Sequence, residues 1–164
     1  MGADAAGVNG WSRTARADLK VFVNGPFVMG FTSSFRMGQL LRWTFVPPVR
    51  RVDIDDEQYM STAFVDAVRG CLKAGGLAKK EHEVESGGTF LVGYNGRIWE
   101  VADDYQVGRV LAGFNAIGSG FELCLGALHV TADLEPEVRL RLALDAATRF
   151  SGAVCAPFTV LREP

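Results

Sequence analysis

Alternating apolar and polar positions predict two pairs of β-strands in this chain. The clearest pair covers 89–94 ("TFLVGY") and 97–102 ("RIWEVA"), which flank an Asn-Gly dipeptide. Asn-Gly is typical of a two-residue hairpin turn, because both central positions of that turn need positive φ. A second pair covers 18–23 ("DLKVFV") and 27–31 ("FVMGF"), around the sequence Asn-Gly-Pro.

Helical spacing of apolar residues predicts four helices. The first follows Ser33 or Ser34 as cap, and a Pro-Pro pair ends it. Glycines end the second helix, and a proline begins the last. The predicted helices cover 35–45, 56–73, 121–130 and 136–150.

The remaining segments complete the predicted order of elements. The charged stretch 77–88 ("LAKKEHEVESGG") reads as a solvated loop, a short strand leads into Gly118, and 157–163 closes as a strand. Runs of strands separated by pairs of helices favour an α+β fold over alternating βαβ units. We therefore predict one domain over 1–164, a four-layer α-β-β-α sandwich of antiparallel sheets.

A glycine-rich loop at 113–120 ("GFNAIGSG") suggests a site, but three familiar motifs do not fit it. A phosphate loop needs lysine where Ser119 stands, and a dinucleotide fingerprint needs glycine where Leu123 stands. A nucleophile elbow needs glycines two residues on either side of the serine, and Ile117 and Phe121 occupy those places. Ser119 by itself is then best explained as a helix N-cap.

Composition excludes several classes of function. With 48% hydrophobic residues and a net charge of −2, the chain suits a soluble globular protein and lacks the basic footprint of a nucleic-acid binder. It contains neither a membrane-length apolar run nor a signal-peptide core. Its three cysteines are widely spaced and form no metal or redox motif, which fits the cytoplasm. We predict no metal or cofactor, and neither His82 nor His129 is expected to be catalytic.

Four stretches together resemble the proteasome β-subunit family of N-terminal-nucleophile (Ntn) hydrolases. They are "GADAAGV" at 2–8, "KVFVNGPFVMGFTSS" at 20–34, "AIGSG" at 116–120 and "RLALDAATRFSGAV" at 141–154. The chain is most similar to the bacterial peptidase subunits that pair with an ATP-driven unfoldase, and to phage and actinobacterial relatives. The resemblance implies the same Ntn hydrolase-like sandwich.

The resemblance also implies roles for four residues. Asp4 and Lys20 lie sixteen positions apart, as the family's catalytic aspartate and lysine do. The backbone N–H of Ser34 would be the oxyanion donor, and Ser119 would lie near the N-terminal amine and orient a proton. Considered singly, Asp4 suits a turn, Lys20 an edge strand and Ser119 a cap. Their joint spacing favours the catalytic interpretation.

In this family the nucleophile is a threonine at the mature N-terminus. Its own α-amine, with a pKa near 8, acts as the base, while a lysine held ionised by an aspartate lowers the pKa of the hydroxyl. By the resemblance, Met1 falls about a dozen residues inside the mature chain, so the first strand is missing or truncated. We expect an upstream gene start rather than a natural deletion. Thr148 also stands where the family often has aspartate.

These features predict a threonine-type peptidase subunit whose nucleophile is not in this chain. The alternatives are a catalytically inactive, ring-forming structural subunit and an Ntn hydrolase of small amides, because one fold serves many chemistries. The expected partners are further copies in a ring, a peptide substrate and an ATP-dependent unfoldase. Trp11, Trp43 and Trp99 are expected to pack in the core or at interfaces.

Overall fold

A computed structural model describes residues 1–77, 79–81 and 84–164. The strands are β1 (Gly2–Ala3), β2 (Ala6–Asn9), β3 (Ser12–Ala15), β4 (Val21–Asn24), β5 (Phe27–Phe31), β6 (Lys79–Glu81), β7 (Val84–Ser86), β8 (Phe90–Tyr94), β9 (Arg97–Val101), β10 (Val107–Arg109) and β11 (Thr159–Val160). The α-helices are α1 (Phe35–Trp43), α2 (Asp56–Tyr59), α3 (Val65–Ala74), α4 (Phe121–Val130) and α5 (Pro136–Phe150), with a π-helical turn, Met60–Phe64, joining α2 to α3.

The central element is a five-stranded antiparallel sheet in the order β10-β9-β8-β5-β4. Alternate residues of each strand face opposite sides, so the sheet has two distinct surfaces. One surface packs against α1 and α3 and forms the main core, with Phe27, Met29 and Trp99 almost fully buried. The residues between them, such as Val28 and Leu91, point to the other side.

A second, smaller layer covers that other side. β1 pairs antiparallel with β11, α5 packs on β1, and α4 packs on α5. The order of layers is therefore α1 and α3, the five-stranded sheet, β1 with β11, and α4 with α5. The predicted α+β class with antiparallel sheets is confirmed.

The helix boundaries follow the local signals closely. Ser34 is the N-cap of α1, with its Oγ accepting a hydrogen bond from the N–H of Met37 at 3.2 Å. The predicted second helix is interrupted by the π-helical turn, which the apolar spacing did not reveal. The last helix begins at Pro136 as expected. Within the described residues, no helix has both the length and the apolar character of a membrane span.

Three predictions of local structure need correction. The segment predicted as a solvated loop at 77–88 contains the hairpin β6–β7, in which Lys79–Glu81 pair antiparallel with Val84–Ser86. The residues after β1 form another hairpin, β2–β3, which we did not predict because it is almost wholly exposed and has no apolar face. The strand expected before Gly118 ends at Arg109.

Candidate active site

A cavity of about 710 Å³ lies between the second surface of the sheet and the helices α4 and α5. Small and apolar residues of the sheet, including Gly30 and Gly93, form its floor. Three of the four predicted site residues line it, namely Asp4, Lys20 and Ser119. The fold thus brings together residues that lie more than 100 positions apart in the chain.

The ion pair between Asp4 and Lys20 that the family resemblance implies is present. Lys20 Nζ donates to Asp4 Oδ1 at 2.9 Å, and only 15% and 14% of the two side chains are exposed. Asp4 Oδ2 accepts the backbone N–H groups of Ala6 at 2.6 Å and Cys155 at 3.4 Å. The carboxylate is therefore held on both oxygens, and it directs the ammonium group toward the cavity wall.

Ser119 lies at the rim of the cavity and does not cap a helix. The N-cap of α4 is Gly120, without a side-chain hydrogen bond, so the interpretation of Ser119 as a cap was wrong. The preceding residue, Gly118, has a φ of 92°, and a Cβ there would lie 2.8 Å from Thr32 Oγ1. Glycine is required at this close approach. The next side chain, that of Ser119, is exposed beside the cavity.

Ser34 lies outside the cavity wall. Its N–H, the predicted oxyanion donor, donates instead to the carbonyl of Thr32 at 2.8 Å. Ser33, between them, has a φ of 67°, which is unusual for a residue other than glycine. The three residues form a tight, strained turn, and the N–H of Ser34 is already engaged within it.

Cys124 is a cavity residue that the sequence analysis did not single out. Burial raises the pKa of its thiol, and the negative charge of Asp4 raises that pKa further. Its Sγ donates to the carbonyl of Ala143 at 3.4 Å. Because the thiolate is the reactive form, a thiol with a raised pKa is a poor nucleophile at neutral pH.

The described residues hold no cluster of three or more His, Cys, Asp or Glu side chains suited to a metal ion. His129 is exposed in the last turn of α4, and His82 lies outside the described residues.

No protein-family model matches the sequence, and a search of curated proteins found no similar sequence. Solved structures are similar in fold. BPH of Thiobacillus denitrificans, solved both alone and in complex with epoxomicin, superposes with a TM-score of 0.78 at 22% identity, covering 96% of this chain and 88% of BPH. Eukaryotic HslV of Trypanosoma brucei superposes with a TM-score of 0.64 at 16% identity and the same coverage. This chain has the proteasome-like Ntn hydrolase fold.

Two residues near the end of α5 show how this Ntn hydrolase fold differs locally from the expected pattern. Thr148, which stands where an aspartate was expected, donates its hydroxyl to the carbonyl of Leu144 at 2.9 Å within the helix. Asp145, one turn earlier, is exposed and pairs with Arg149 at 3.0 Å. Neither side chain pairs with Asp4 or Lys20.

Thr32 and Arg139 also line the cavity, and neither was predicted as a site residue from the sequence. Thr32 lies within a stretch quoted for the resemblance, but nothing in its spacing marked its contact with Gly118. Arg139 donates through Nη2 to the carbonyl of Leu128 at 2.8 Å, while its buried Nε has no partner. Only the tertiary structure shows that this arginine, on a helix with many surface charges, reaches inward.

Proposed function

We propose that this chain is a subunit of a threonine-type peptidase in which Asp4, Lys20 and Ser119 form the chain's share of the active site. The observation that carries the proposal is the largely buried Lys20–Asp4 ion pair at 2.9 Å, on the wall of a large cavity in a proteasome-like Ntn hydrolase fold. An ionised lysine beside a hydroxyl lowers the pKa of that hydroxyl, which is the chemistry a threonine nucleophile needs.

The proposed reaction is an acyl transfer. The threonine Oγ attacks the carbonyl carbon of a peptide bond, its proton passes to the α-amine, and the tetrahedral intermediate collapses to an ester and a free amine that takes up the proton. Water then hydrolyses the ester. Lys20 would stabilise the developing negative charge on Oγ, Asp4 would hold Lys20 in place, and Ser119 would orient the proton at the rim.

The nucleophile of this proposal is a threonine in a segment preceding Met1. Met1, Gly2 and Ala3 line the cavity, as Lys20 does, and the proposal places the preceding strand at this wall. The proposed partners are further copies in a ring, a peptide substrate and an ATP-dependent unfoldase, and the proposed location is the cytoplasm.

The test is peptide hydrolysis by the longest in-frame form encoded upstream of Met1. We expect a peptide with a fluorescent leaving group to be hydrolysed, and Lys20→Ala to lower kcat by about 10²-fold or more. Arg149→Ala removes an exposed cation on the outside of α5 and serves as the matched control. Absence of hydrolysis, or full activity of Lys20→Ala, would remove the peptidase proposal.

A second candidate function is that of an inactive, ring-forming subunit. The engaged N–H of Ser34 favours it, since an oxyanion donor must be available to the substrate. The hydrogen bond of Thr148 within α5 favours it too. Light scattering combined with the same assay separates the two functions, because a large symmetric assembly of the longer form without hydrolysis supports the second.

A further inference from the structure

Two ion pairs meet at the ring of Phe35. Arg16 is paired bidentately with Asp18 at 2.8 and 2.7 Å, and its guanidinium carbon lies 4.0 Å from the centroid of the Phe35 ring. Lys20, paired with Asp4, has its Nζ 5.9 Å from the same centroid. One aromatic ring therefore lies within 6 Å of two cations, and each cation has its own carboxylate.

Local structure explains why the ring is in this place. Phe35 is the first residue of α1, directly after the cap Ser34, and it packs edge-to-face against Phe31 with centroids 5.6 Å apart at 85°. Arg16 reaches the ring by passing over Gly7, where a Cβ would lie 2.4 Å from Arg16 Cδ. The glycine is needed for this approach.

The ring limits how the Lys20 ammonium can move. A lysine side chain has four rotatable bonds, and a single carboxylate contact leaves the ammonium free to pivot about it. The negative face of an aromatic ring attracts a cation within about 6 Å, so Phe35 provides the ammonium with a second contact besides the carboxylate. The partial burial of Lys20 strengthens this attraction, because it is less screened by water.

We propose that Phe35 is a positioning residue for Lys20 in the hydrolysis proposed above. The ring acts through Lys20 and does not touch the substrate. This inference rests on the proposed function for its effect on catalysis, but its effect on Lys20 is measurable without any turnover. A purely structural Phe35 would only fill space against Phe31, and an apolar side chain or a ring of altered charge would then serve as well.

The first experiment observes the Lys20 ammonium by NMR in protein labelled with ¹⁵N at the lysine side chains. The chain has four lysines, namely Lys20, Lys73, Lys79 and Lys80. The signal that disappears in Lys20→Arg is the ammonium signal of Lys20. We expect a restrained ammonium in the wild type and in Phe35→Tyr, and faster reorientation with a shifted signal in Phe35→Leu. Phe150→Leu, at an exposed ring on α5, is the control, and we expect it to leave the signal and the reorientation of the Lys20 ammonium unchanged.

A fluorinated ring provides a second variant that tests the same attraction if Phe35→Leu does not fold. Pentafluorophenylalanine at position 35 keeps nearly the same shape but reverses the charge distribution of the ring, so the attraction to a cation is lost. We expect Lys20 to reorient as fast in this protein as in Phe35→Leu. An unchanged Lys20 signal in the fluorinated protein overturns the proposal.

The second experiment compares kcat and KM in the longer form. We expect Phe35→Leu to lower kcat by about tenfold with KM unchanged, and Phe35→Tyr to restore it. Loosening of Lys20 without any change in kcat overturns the positioning role. If the wild-type longer form hydrolyses no peptide, the proposed function fails while the NMR result still decides whether Phe35 positions Lys20.

Discussion

The ammonium of Lys20 contacts the carboxylate of Asp4 at 2.9 Å where both side chains are largely withdrawn from solvent. The same carboxylate accepts two backbone N–H groups, from the nearby Ala6 and the distant Cys155, so it links the start of the chain to Lys20 and to the segment near Cys155. The pair therefore contributes to stability as well as to the proposed chemistry.

We expect Lys20→Met to lower the free energy of unfolding by about 1–3 kcal/mol, because it leaves a partly buried carboxylate without its cation. The measurement is urea denaturation, with a double-mutant cycle through Asp4→Asn to isolate the interaction between the two residues. Arg141→Met breaks an exposed ion pair with Glu137 at 3.0 Å and should cost less than about 1 kcal/mol. An equal loss of unfolding free energy in Lys20→Met and Arg141→Met would contradict the prediction.

Gly38 and Gly70 are both helical glycines, but we expect opposite effects from alanine at the two positions. A Cβ at Gly38 would lie 2.0 to 2.5 Å from three ring atoms of the buried Phe31, so Gly38→Ala should destabilise the protein by about 1–3 kcal/mol. A Cβ at Gly70 meets nothing within 4 Å, so Gly70→Ala should stabilise it by about 1 kcal/mol through helix propensity. Chemical denaturation of both variants provides the comparison, and a neutral Gly38→Ala would show that Phe31 has room to move.

Tyr59 makes the protein sensitive to alkali. Burial raises its pKa from 10.0 to about 12, and its hydroxyl donates to the carbonyl of Pro48 at 2.6 Å. Between these two pH values the unfolded chain binds fewer protons than the folded one, so the free energy of unfolding falls as the pH rises. Below about pH 10 the protonated Tyr59 makes its full contribution to the free energy of unfolding. The loss of that contribution by pH 12 amounts to at most about 3 kcal/mol.

Thermal or urea unfolding at several alkaline pH values measures this effect. We expect Tyr59→Phe to show a weaker decline in stability between pH 10 and 12 than the wild type. It should be less stable at neutral pH by about 1 kcal/mol, because the Pro48 carbonyl loses its donor. Tyr94→Phe, in the same aromatic cluster, should weaken the decline less than Tyr59→Phe does, because burial raises the pKa of Tyr59 more than the charge of Tyr94 does. Parallel curves for wild type and Tyr59→Phe would refute the assignment.

Asn24 closes the end of α1 from the neighbouring hairpin. Its Nδ2 donates to the carbonyls of Leu41 and Phe45, each at 2.9 Å. Asn24→Ala should cost about 1–3 kcal/mol, and Asn24→Asp more, because a carboxylate faces two carbonyls at the negative end of the helix. Part of the extra loss should return below about pH 4, where the carboxyl protonates. Asn9→Asp, at an exposed strand position, controls for the added charge; an equal loss there would count against the explanation.

The elements predicted well are those whose signals are local. The hairpin of β8 and β9 and the helix α5 carry their turn, proline and spacing signals within a few residues of each other, and both formed where expected. The hairpin β2–β3 was missed because it is almost wholly exposed. The hairpin β6–β7 was missed because the sequences of its strands, Lys-Lys-Glu and Val-Glu-Ser, are mostly charged and polar. Both hairpins are defined by backbone hydrogen bonds, and the amino-acid composition of a segment does not indicate where such bonds form.

The sequence by itself determined the α+β class and most of the helices, because these follow from periodicity and turn residues, and the family resemblance implied the pairing of Lys20 with Asp4. Only the tertiary structure decided that Cys124, Thr32 and Arg139 share a cavity with that pair, and that the N–H of Ser34 is engaged by Thr32. The physical reason is that a cavity and a hydrogen-bond partner depend on how distant surfaces pack, and the positions along one chain do not specify that.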